Sequence, residues 1–245
     1  EKAALDWEET SQGATAMALA SPNLSSDISL SLNGTPISRG YWELTRDICS
    51  RSGIDIDTKN GILNLGPWKV DTPSEISVLG EQSLIPMRIL FSRLHGVEVK
   101  TNRTEEITGL GLAIHNMECN SDNLNLKDGS DIITPSAAIM ALGSGGRITG
   151  CPHARGKESD RISKTVKMLG DFGIKTKETS DGIIIPGKQS IQRPEETVET
   201  YSDHRMAMTA MILASKVGGS IDNPECVSAT DPGFVQRLGD ICDSC

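Results

Sequence analysis

One order of segments recurs along this chain with a period of roughly 60 residues. In each copy an apolar helix is followed by a strand, an amphipathic helix and a hairpin of two strands. Three copies are visible, and a fourth opens after Tyr201. Because apolar helices must be buried while amphipathic helices keep one face in solvent, such units stack in layers. The sequence therefore predicts an α/β fold of repeated units.

The predicted elements follow from residue type and periodicity. Residues 11–20, 77–94, 135–142 and 205–217 are rich in small and apolar side chains, which predicts buried helices. Short strands are expected at 28–32, 97–101, 147–149 and 220–222. Amphipathic helices are expected at 41–51, 105–116 and 158–172.

Turn residues mark the hairpins and a domain boundary. Asn60-Gly61 and Asp181-Gly182 favour tight hairpin turns, between strands expected at 54–57 and 62–65 and at 175–178 and 183–185. In the middle copy, 121–123 lacks the glycine of such a turn. The first copy shows no leading strand, so the chain is expected to enter the fold within a unit. Gly66-Pro67 predicts a boundary between 1–66, the last unit of an incomplete domain, and 67–245.

Composition excludes several classes of protein. Lys and Arg number 24 against 33 Asp and Glu, a formal charge of −9, which disfavours general binding to nucleic acid or anionic membranes. Aromatic residues are only 3% of the chain, too few for base stacking along a strand. No apolar run approaches the roughly 18 residues that a membrane span needs. The six cysteines include one C-x-x-C, at 242–245, and are expected to be free thiols in a reducing cytoplasm.

The densest group of charged residues lies at 155–161. Lys157 and Arg161 are four residues apart, so in a helix they share one face beside Glu158. Backbone N–H groups at a helix start favour an anion, although a capped helix with ordinary charge pairs has the same pattern. His204 and Arg205 open another predicted helix at an equivalent place in the repeat. Two such clusters together suggest a ligand with several phosphates or carboxylates.

Polar residues open other predicted helices of the repeat as well. Asp131 precedes the apolar helix at 135–142 and is either a general base or a simple N-terminal cap. The polar residues that open the helices expected at 11–20 and 41–51 likewise either contact a ligand or cap the helix. The histidines lack the spacing of metal ligands, and only His153 is close to Lys157. The remaining candidates are Thr10, Ser11, Gln12, Ser38 and Tyr41.

Taken together, these motifs resemble those of the EPSP synthase (3-phosphoshikimate 1-carboxyvinyltransferase) family. The resemblance rests on Lys-Glu-Ser-Asp-Arg at 157–161 and Asp-His-Arg-Met-Ala-Met at 203–208, with the other candidates in the family's order. It is faint around 70–94, where the family's aspartate-and-serine strand-to-helix motif is placed at 71–75. The resemblance implies two domains of repeated βαβαββ units, an inside-out α/β barrel of the enolpyruvyl transferase type, with the first domain incomplete here.

The resemblance also implies an activity and a set of ligands. The family transfers the enolpyruvyl group of phosphoenolpyruvate to the 5-hydroxyl of shikimate-3-phosphate in the shikimate pathway and releases phosphate, with no metal or cofactor. Glu158 would protonate the methylene carbon of phosphoenolpyruvate, and Asp131 would take the hydroxyl proton. Shikimate-3-phosphate would be held by Thr10, Ser11, Gln12, Ser38, Tyr41, Asp131, His153 and Lys157. Phosphoenolpyruvate would be held by Gln12, Arg161, His204 and Arg205.

Two departures from the family bear on activity. The family's N-terminal part, with a lysine-serine-arginine stretch and a further arginine, is not found here, and Ala229 stands where the family has a lysine. The isolated chain is therefore expected to be weak or inactive, with the N-terminal portion as its partner in trans. Two alternatives stay open: a UDP-N-acetylglucosamine enolpyruvyl transferase, or a non-catalytic relative that binds anionic metabolites.

Overall fold

The first unit of the fold is a four-stranded mixed sheet with two helices. The structure, a computed structural model, describes residues 3–78, 80–101 and 107–243. Strand β1 runs parallel to β2, and β4 lies antiparallel between β2 and β3. In chain order the elements are β1 (Ala4–Asp6), α1 (Gln12–Ala20), β2 (Ile28–Asn33), α2 (Arg39–Arg51), β3 (Thr58–Lys59) and β4 (Ile62–Leu65).

A second complete unit repeats this topology further along the chain. Its strand order, β5-β6-β8-β7, matches β1-β2-β4-β3 pair by pair. The prediction of repeated βαβαββ units is therefore confirmed, and the two described sheets are open and separate. The elements are β5 (Asn123–Asn125), α5 (Ile133–Leu142), β6 (Gly145–Thr149), α6 (Arg161–Asp171), β7 (Lys177–Thr179) and β8 (Gly182–Pro186).

The expectation that the first copy lacks its leading strand is wrong. Strand β1 is that strand, with Leu5 paired to Leu32 in parallel register. Three residues with mostly exposed side chains carry no alternating pattern, so only the pairing with β2 reveals the strand. The hairpin strands expected at 54–57 and 175–178 begin later than expected, at Thr58 and Lys177.

The middle copy differs most from its prediction. It contains α3 (Ile85–His95) and α4 (Leu110–Glu118), so the helix expected at 77–94 starts later, after a 3-10 turn at Gln82–Leu84. Residues 102–106, where the helix expected at 105–116 would begin, lie outside the described residues. Residues 97–101 form no described strand. After α4 the chain passes directly into β5, so no hairpin of its own is available as a partner for 97–101.

The last part of the chain is a partial unit. It comprises α7 (His204–Val217) and α8 (Phe234–Asp243), the second of which was not predicted. The strand expected at 220–222 is reduced to one parallel bridge between Val198 and Ile221. Across the described ranges, no helix combines the length and apolar character needed to cross a bilayer.

Two separate groups of buried side chains form the interior. One lies within residues 7–65 and includes the edge-to-face pair of Trp7 and Trp42. The other surrounds α5, in which every residue from Ile133 to Ala141 is buried against α3, α6 and α7. The 3-10 turns before α3, α5 and α6 contact one another in a row, which brings three helix starts together. The domain boundary near 66–67 stays a prediction.

Candidate active site

Arg161, the first residue of α6, lies at the centre of the candidate site. Its side chain is 1% exposed and binds three carboxylates that come from different segments. Nε and Nη2 donate to Asp203 Oδ2 and Oδ1 at 2.8 and 3.2 Å, Nη1 donates to Asp131 Oδ1 at 2.7 Å, and Nη2 donates to Glu158 Oε2 at 2.6 Å. A buried guanidinium needs such partners, because an unpaired charge in the interior is costly.

Asp131 connects this centre to the first unit of the fold. Its Oδ2 accepts from the Tyr41 hydroxyl at 3.3 Å, and its Oδ1 lies 3.9 Å from Lys157 Nζ. Burial alone raises the pKa of Asp131, but Lys157, Arg161 and Arg205 outweigh it and hold the pKa below its usual value. Helix α5 begins without a side-chain cap, so the alternative that Asp131 is a simple N-cap is wrong.

Asp203 fixes the start of α7 under Arg161, a role that the sequence analysis missed. The carboxylate is fully buried, caps α7 by accepting from the Arg205 backbone N–H at 2.9 Å, and accepts from the Ser159 hydroxyl at 2.9 Å. Burial raises the pKa of Asp203, while the bonds from Arg161 and Ser159 more than reverse the shift. An aspartate directly before a predicted helix is an N-cap signal that could have revealed this.

The backbone N–H groups at the start of α6 bond the Asp160 side chain instead of lying open to an anion. Lys157 and Glu158 lie before the helix, so Lys157 and Arg161 do not share a helical face. The Asp160 carboxylate caps α6 by accepting from the N–H groups of Ile162 and Ser163, each at 3.1 Å. The helix start is therefore already occupied, and the charge available to an anion is on side chains.

A cleft of about 700 Å³ lies between the first unit and the segment before α6. Four of its side chains are carboxylates and one is a lysine, so its lining is net acidic. Five expected site residues share this cleft, at positions 10, 12, 153, 157 and 158. The lining residues are Asp6, Glu8, Glu9, Thr10, Gln12, Pro152, His153, Gly156, Lys157 and Glu158.

His153 contributes a neutral ring to the cleft at ordinary pH. Burial, and next the charge of Lys157, lower the pKa of His153 to about 4. Its Nε2 is buried without a hydrogen-bond partner in the described part of the chain. The imidazole therefore adds no charge to the cleft, and its Nε2 would reach a ligand oxygen only after the ring turned. Within the described ranges, no group of three or more His, Cys, Asp or Glu side chains is arranged to hold a metal.

Arg205 is near the site but does not line the cleft. It is 5% exposed, its Nη1 donates to the Ser83 carbonyl at 3.4 Å, and its Nε has no partner among described residues. His204, the first residue of α7, is also absent from the lining. Burial, and next the charges of Arg205 and Arg161, lower the pKa of His204.

Because Arg205 bonds Ser83, the start of α3 belongs to this region. The helix was expected to start at 77, with the strand-to-helix motif at 71–75, but it starts at Ile85. Residues 71–75 form no helix start. Instead, the Glu81 carboxylate caps the 3-10 turn before α3 by accepting from the Ser83 backbone N–H at 3.4 Å, and it also accepts from the Ser83 hydroxyl at 2.6 Å. Pro86 in the first turn of α3 is the signal that could have located this start.

Two expected ligands of the site are buried elsewhere. Ser11 and Ser38 are 5% and 8% exposed, precede α1 and α2, and do not line the cleft. Thr10 does line it, and its hydroxyl accepts from the Gln12 N–H at 3.1 Å. The first unit thus reaches the site through Thr10, Gln12 and Tyr41.

Known proteins that share one name match most of this chain. The family model of EPSP synthase (3-phosphoshikimate 1-carboxyvinyltransferase) matches residues 87–238. Proteins named 3-phosphoshikimate 1-carboxyvinyltransferase from Methanosphaera stadtmanae and Methanoculleus marisnigri are 26% and 27% identical and are matched over 96% and 97% of this chain. The chain spans 61% of the length of each of these curated relatives.

A solved structure shows the same fold. The 2.37 Å structure of EPSP synthase from Acinetobacter baumannii superposes with a TM-score of 0.67 at 19% identity. The match covers 99% of this chain and 62% of that one. At 19% identity this similarity supports the fold alone.

Proposed function

This chain belongs to the EPSP synthase family, and we propose that it carries most of an enolpyruvyl transfer site. The reaction would move the enolpyruvyl group of phosphoenolpyruvate to the 5-hydroxyl of shikimate-3-phosphate and release phosphate. The observation that carries the proposal is the buried Arg161, bonded at once to Asp131, Glu158 and Asp203. These bonds place a carboxylate pair and a strong anion-binding group within one small volume.

Shikimate-3-phosphate would occupy the cleft beside Lys157. The lysine would pair with the phosphate, and Thr10, Gln12 and His153 would bond its oxygens from the cleft walls. Asp131 is held ionised by its cationic neighbours, so it can accept a hydrogen bond from the 5-hydroxyl and take its proton.

Phosphoenolpyruvate would bind where Arg161 meets Glu158. A ligand carboxylate that takes Nη2 of Arg161 would release Glu158, whose side chain is 49% exposed, to turn into the cleft. Arg205 and His204 would add contacts to the same ligand. Arginine is suited to this because its planar group bonds two oxygens at once and orients the ligand.

The proton balance then follows from the two carboxyl groups. Glu158, once it has left Arg161 and taken a proton from solvent, gives that proton to the methylene carbon of phosphoenolpyruvate, which leaves a cationic carbon for the 5-hydroxyl oxygen to attack. Asp131 accepts the hydroxyl proton, so a tetrahedral intermediate forms. The Glu158 carboxylate then takes a proton back from the methyl group while the carbon–oxygen bond to phosphate breaks. Asp131 returns its proton to the leaving phosphate, so the double bond and both side chains are restored. General acid help of this kind contributes about 10²–10⁴ in rate.

The isolated chain is proposed to be weak or inactive. Its cleft presents the carboxylates of Asp6, Glu8, Glu9 and Glu158 against Lys157, and both substrates are anions. Ala229, at the end of a 3-10 turn, adds no charge where the resemblance places a lysine. The remaining 39% of the relatives' length, supplied in trans, is proposed to bring the cations that balance this cleft.

A phosphate-release assay tests the proposal. The chain would be assayed with both substrates, alone and mixed with the N-terminal portion of a relative. We expect release above background only in the mixture. Turnover by the chain alone at the level of full-length relatives would contradict the proposed weakness, and no release in either arm would contradict the activity.

The same assay separates the two alternatives. Release that requires UDP-N-acetylglucosamine in place of shikimate-3-phosphate would identify the other enolpyruvyl transferase. Binding of shikimate-3-phosphate without release in any mixture would favour a non-catalytic relative. The acidic cleft and Ala229 are the features that favour this second alternative.

A further inference from the structure

The turn that leads into α7 has an unusual backbone. Tyr201 and Ser202 are consecutive non-glycine residues in the left-handed region, with φ of 57° and 56°. Side chains disfavour this conformation, and two in a row persist only where the surroundings enforce them. At many other positions with positive φ the chain has glycine, as at Gly96, and the other non-glycine cases, such as Lys188, have no such non-glycine neighbour. The next residue, Asp203, donates its N–H to the Thr200 carbonyl at 3.0 Å, so the turn sets its position.

Contacts from two directions hold this turn. On one side, Lys167 Nζ donates to the Tyr201 hydroxyl at 2.8 Å, and Lys164 Nζ lies 4.1 Å from the centre of the ring. On the other side, Asn223 Nδ2 donates to the Ser202 hydroxyl at 2.9 Å. Both lysines belong to α6, the helix that begins with Arg161. The tyrosine therefore connects the helix of Arg161 to the turn of Asp203.

We infer that Tyr201 is a positioning residue: gripped by Lys164 and Lys167, it keeps the left-handed turn in place and so holds Asp203 against Arg161. The bonds of Arg161 Nε and Nη2 to Asp203 require the starts of α6 and α7 to keep a fixed separation. Both side chains lie inside the protein, so their bonds last only while the two helix starts keep this separation. The half-buried tyrosine fixes it from the surface.

The test is hydrogen exchange at the Arg161 side chain in the whole chain labelled with ¹⁵N-arginine. The Nε–H signal, assigned with an Arg161→Lys variant, reports the bond to Asp203 directly. Tyr201→Gly removes the grip while making the left-handed backbone easier, so a merely strained turn would become more stable. We expect instead that exchange at Arg161 Nε–H rises about tenfold or more, because the pair opens more often.

Three further variants keep the test decisive. Ser202→Gly eases the neighbouring residue and loses the bond from Asn223 but keeps both lysine contacts, so exchange should stay within about threefold of wild type. Tyr201→Phe keeps the ring over Lys164 and loses the bond from Lys167, so exchange should rise less than in Tyr201→Gly. If Tyr201→Gly does not fold, a Lys164→Ala, Lys167→Ala double variant should raise exchange in the same way. Unchanged exchange in the folded Tyr201→Gly chain, or in the double variant, would overturn the inference.

The positioning role of Tyr201 rests on the proposed function only where Arg161 is taken to bind phosphoenolpyruvate. The exchange measurement needs neither substrate nor turnover. A failure of enolpyruvyl transfer would therefore leave this result unchanged, and a failure here would leave the transfer assay unchanged.

Discussion

Arg161 and Asp203 form a buried, two-bond ion pair between the starts of α6 and α7. The contacts are 2.8 Å from Nε to Oδ2 and 3.2 Å from Nη2 to Oδ1, and the two residues are 42 positions apart in the chain. Their side chains are 1% and 0% exposed. The pair thus joins the two sequence motifs into one structure.

Removing one partner of this pair should be strongly destabilising. Asp203→Ala leaves the Arg161 guanidinium with fewer partners and removes the cap of α7, so the free energy of unfolding should fall by about 3 kcal/mol or more. Urea unfolding measures it. Asp203→Asn keeps an oxygen for the cap but loses the charge. Its free energy of unfolding should therefore lie between those of wild type and Asp203→Ala. A loss below about 1 kcal/mol in Asp203→Ala would contradict the account of this pair.

Glu158→Gln should separate catalysis from stability. The carboxylate is half-exposed, so its loss should change the free energy of unfolding by less than about 1 kcal/mol. In the enzyme completed with the N-terminal portion, turnover should fall by about 10²–10⁴. Glu178→Gln is the matched control, because Glu178 is a comparably exposed carboxylate paired with Arg155, outside the cleft. Equal turnover of the Glu158 and Glu178 variants would remove Glu158 from the mechanism.

His153 should make stability depend on pH in a defined window. Its pKa of about 4 in the folded chain lies below the value of about 6.5 for an unfolded chain, so the unfolded state binds more protons between these values. The free energy of unfolding should therefore fall as the pH is lowered from about 6.5 toward about 4. Urea unfolding at pH 7.5 and 5 should show a smaller difference for His153→Gln than for wild type. The same difference in both would show that the ring is not buried as described.

Gly40→Ala should disturb the contact between the first unit and the rest of the chain. A Cβ at Gly40 would overlap Ile107 Cγ2 and would lie 2.8 Å from the backbone nitrogen of Thr108. The overpacking should cost about 1–3 kcal/mol in unfolding free energy. Gly170→Ala is the control: nothing lies within 4 Å of its Cβ, and the residue is in α6. That variant should gain about 0.5–1 kcal/mol; equal effects of the two would contradict the packing described.

Local pattern predicted the helices and turns that depend on nearby residues. Apolar helices α1, α5 and α7 begin within two residues of their predicted starts, and the turns at Asn60-Gly61 and Asp181-Gly182 lie in the described hairpins. What failed depends on partners distant in sequence. Strand β1 exists because β2 pairs with it, whereas 97–101 has the strand pattern but no hairpin beside it.

The candidate site shows the same limit. Residue type and order indicated the charged helix starts, but not that Asp131 turns away from its helix to bind Arg161 and Tyr41. The N-cap role of Asp203 could be expected from its place before a predicted helix, but its bonds to Arg161 could not, because they join residues 42 positions apart. The acidic wall at Asp6, Glu8 and Glu9 belongs to the cleft only because β1 ends beside the segment before α6.

The most direct test of the site is a calorimetric titration of phosphoenolpyruvate, with and without saturating shikimate-3-phosphate, into the chain combined with the N-terminal portion. If the basic side chains grouped around Asp131 form one pocket for two anions, shikimate-3-phosphate should tighten the binding of phosphoenolpyruvate. Arg205→Ala should weaken the binding of phosphoenolpyruvate and leave that of shikimate-3-phosphate unchanged. Two ligands that bind without influencing one another, or no binding of either, would contradict it.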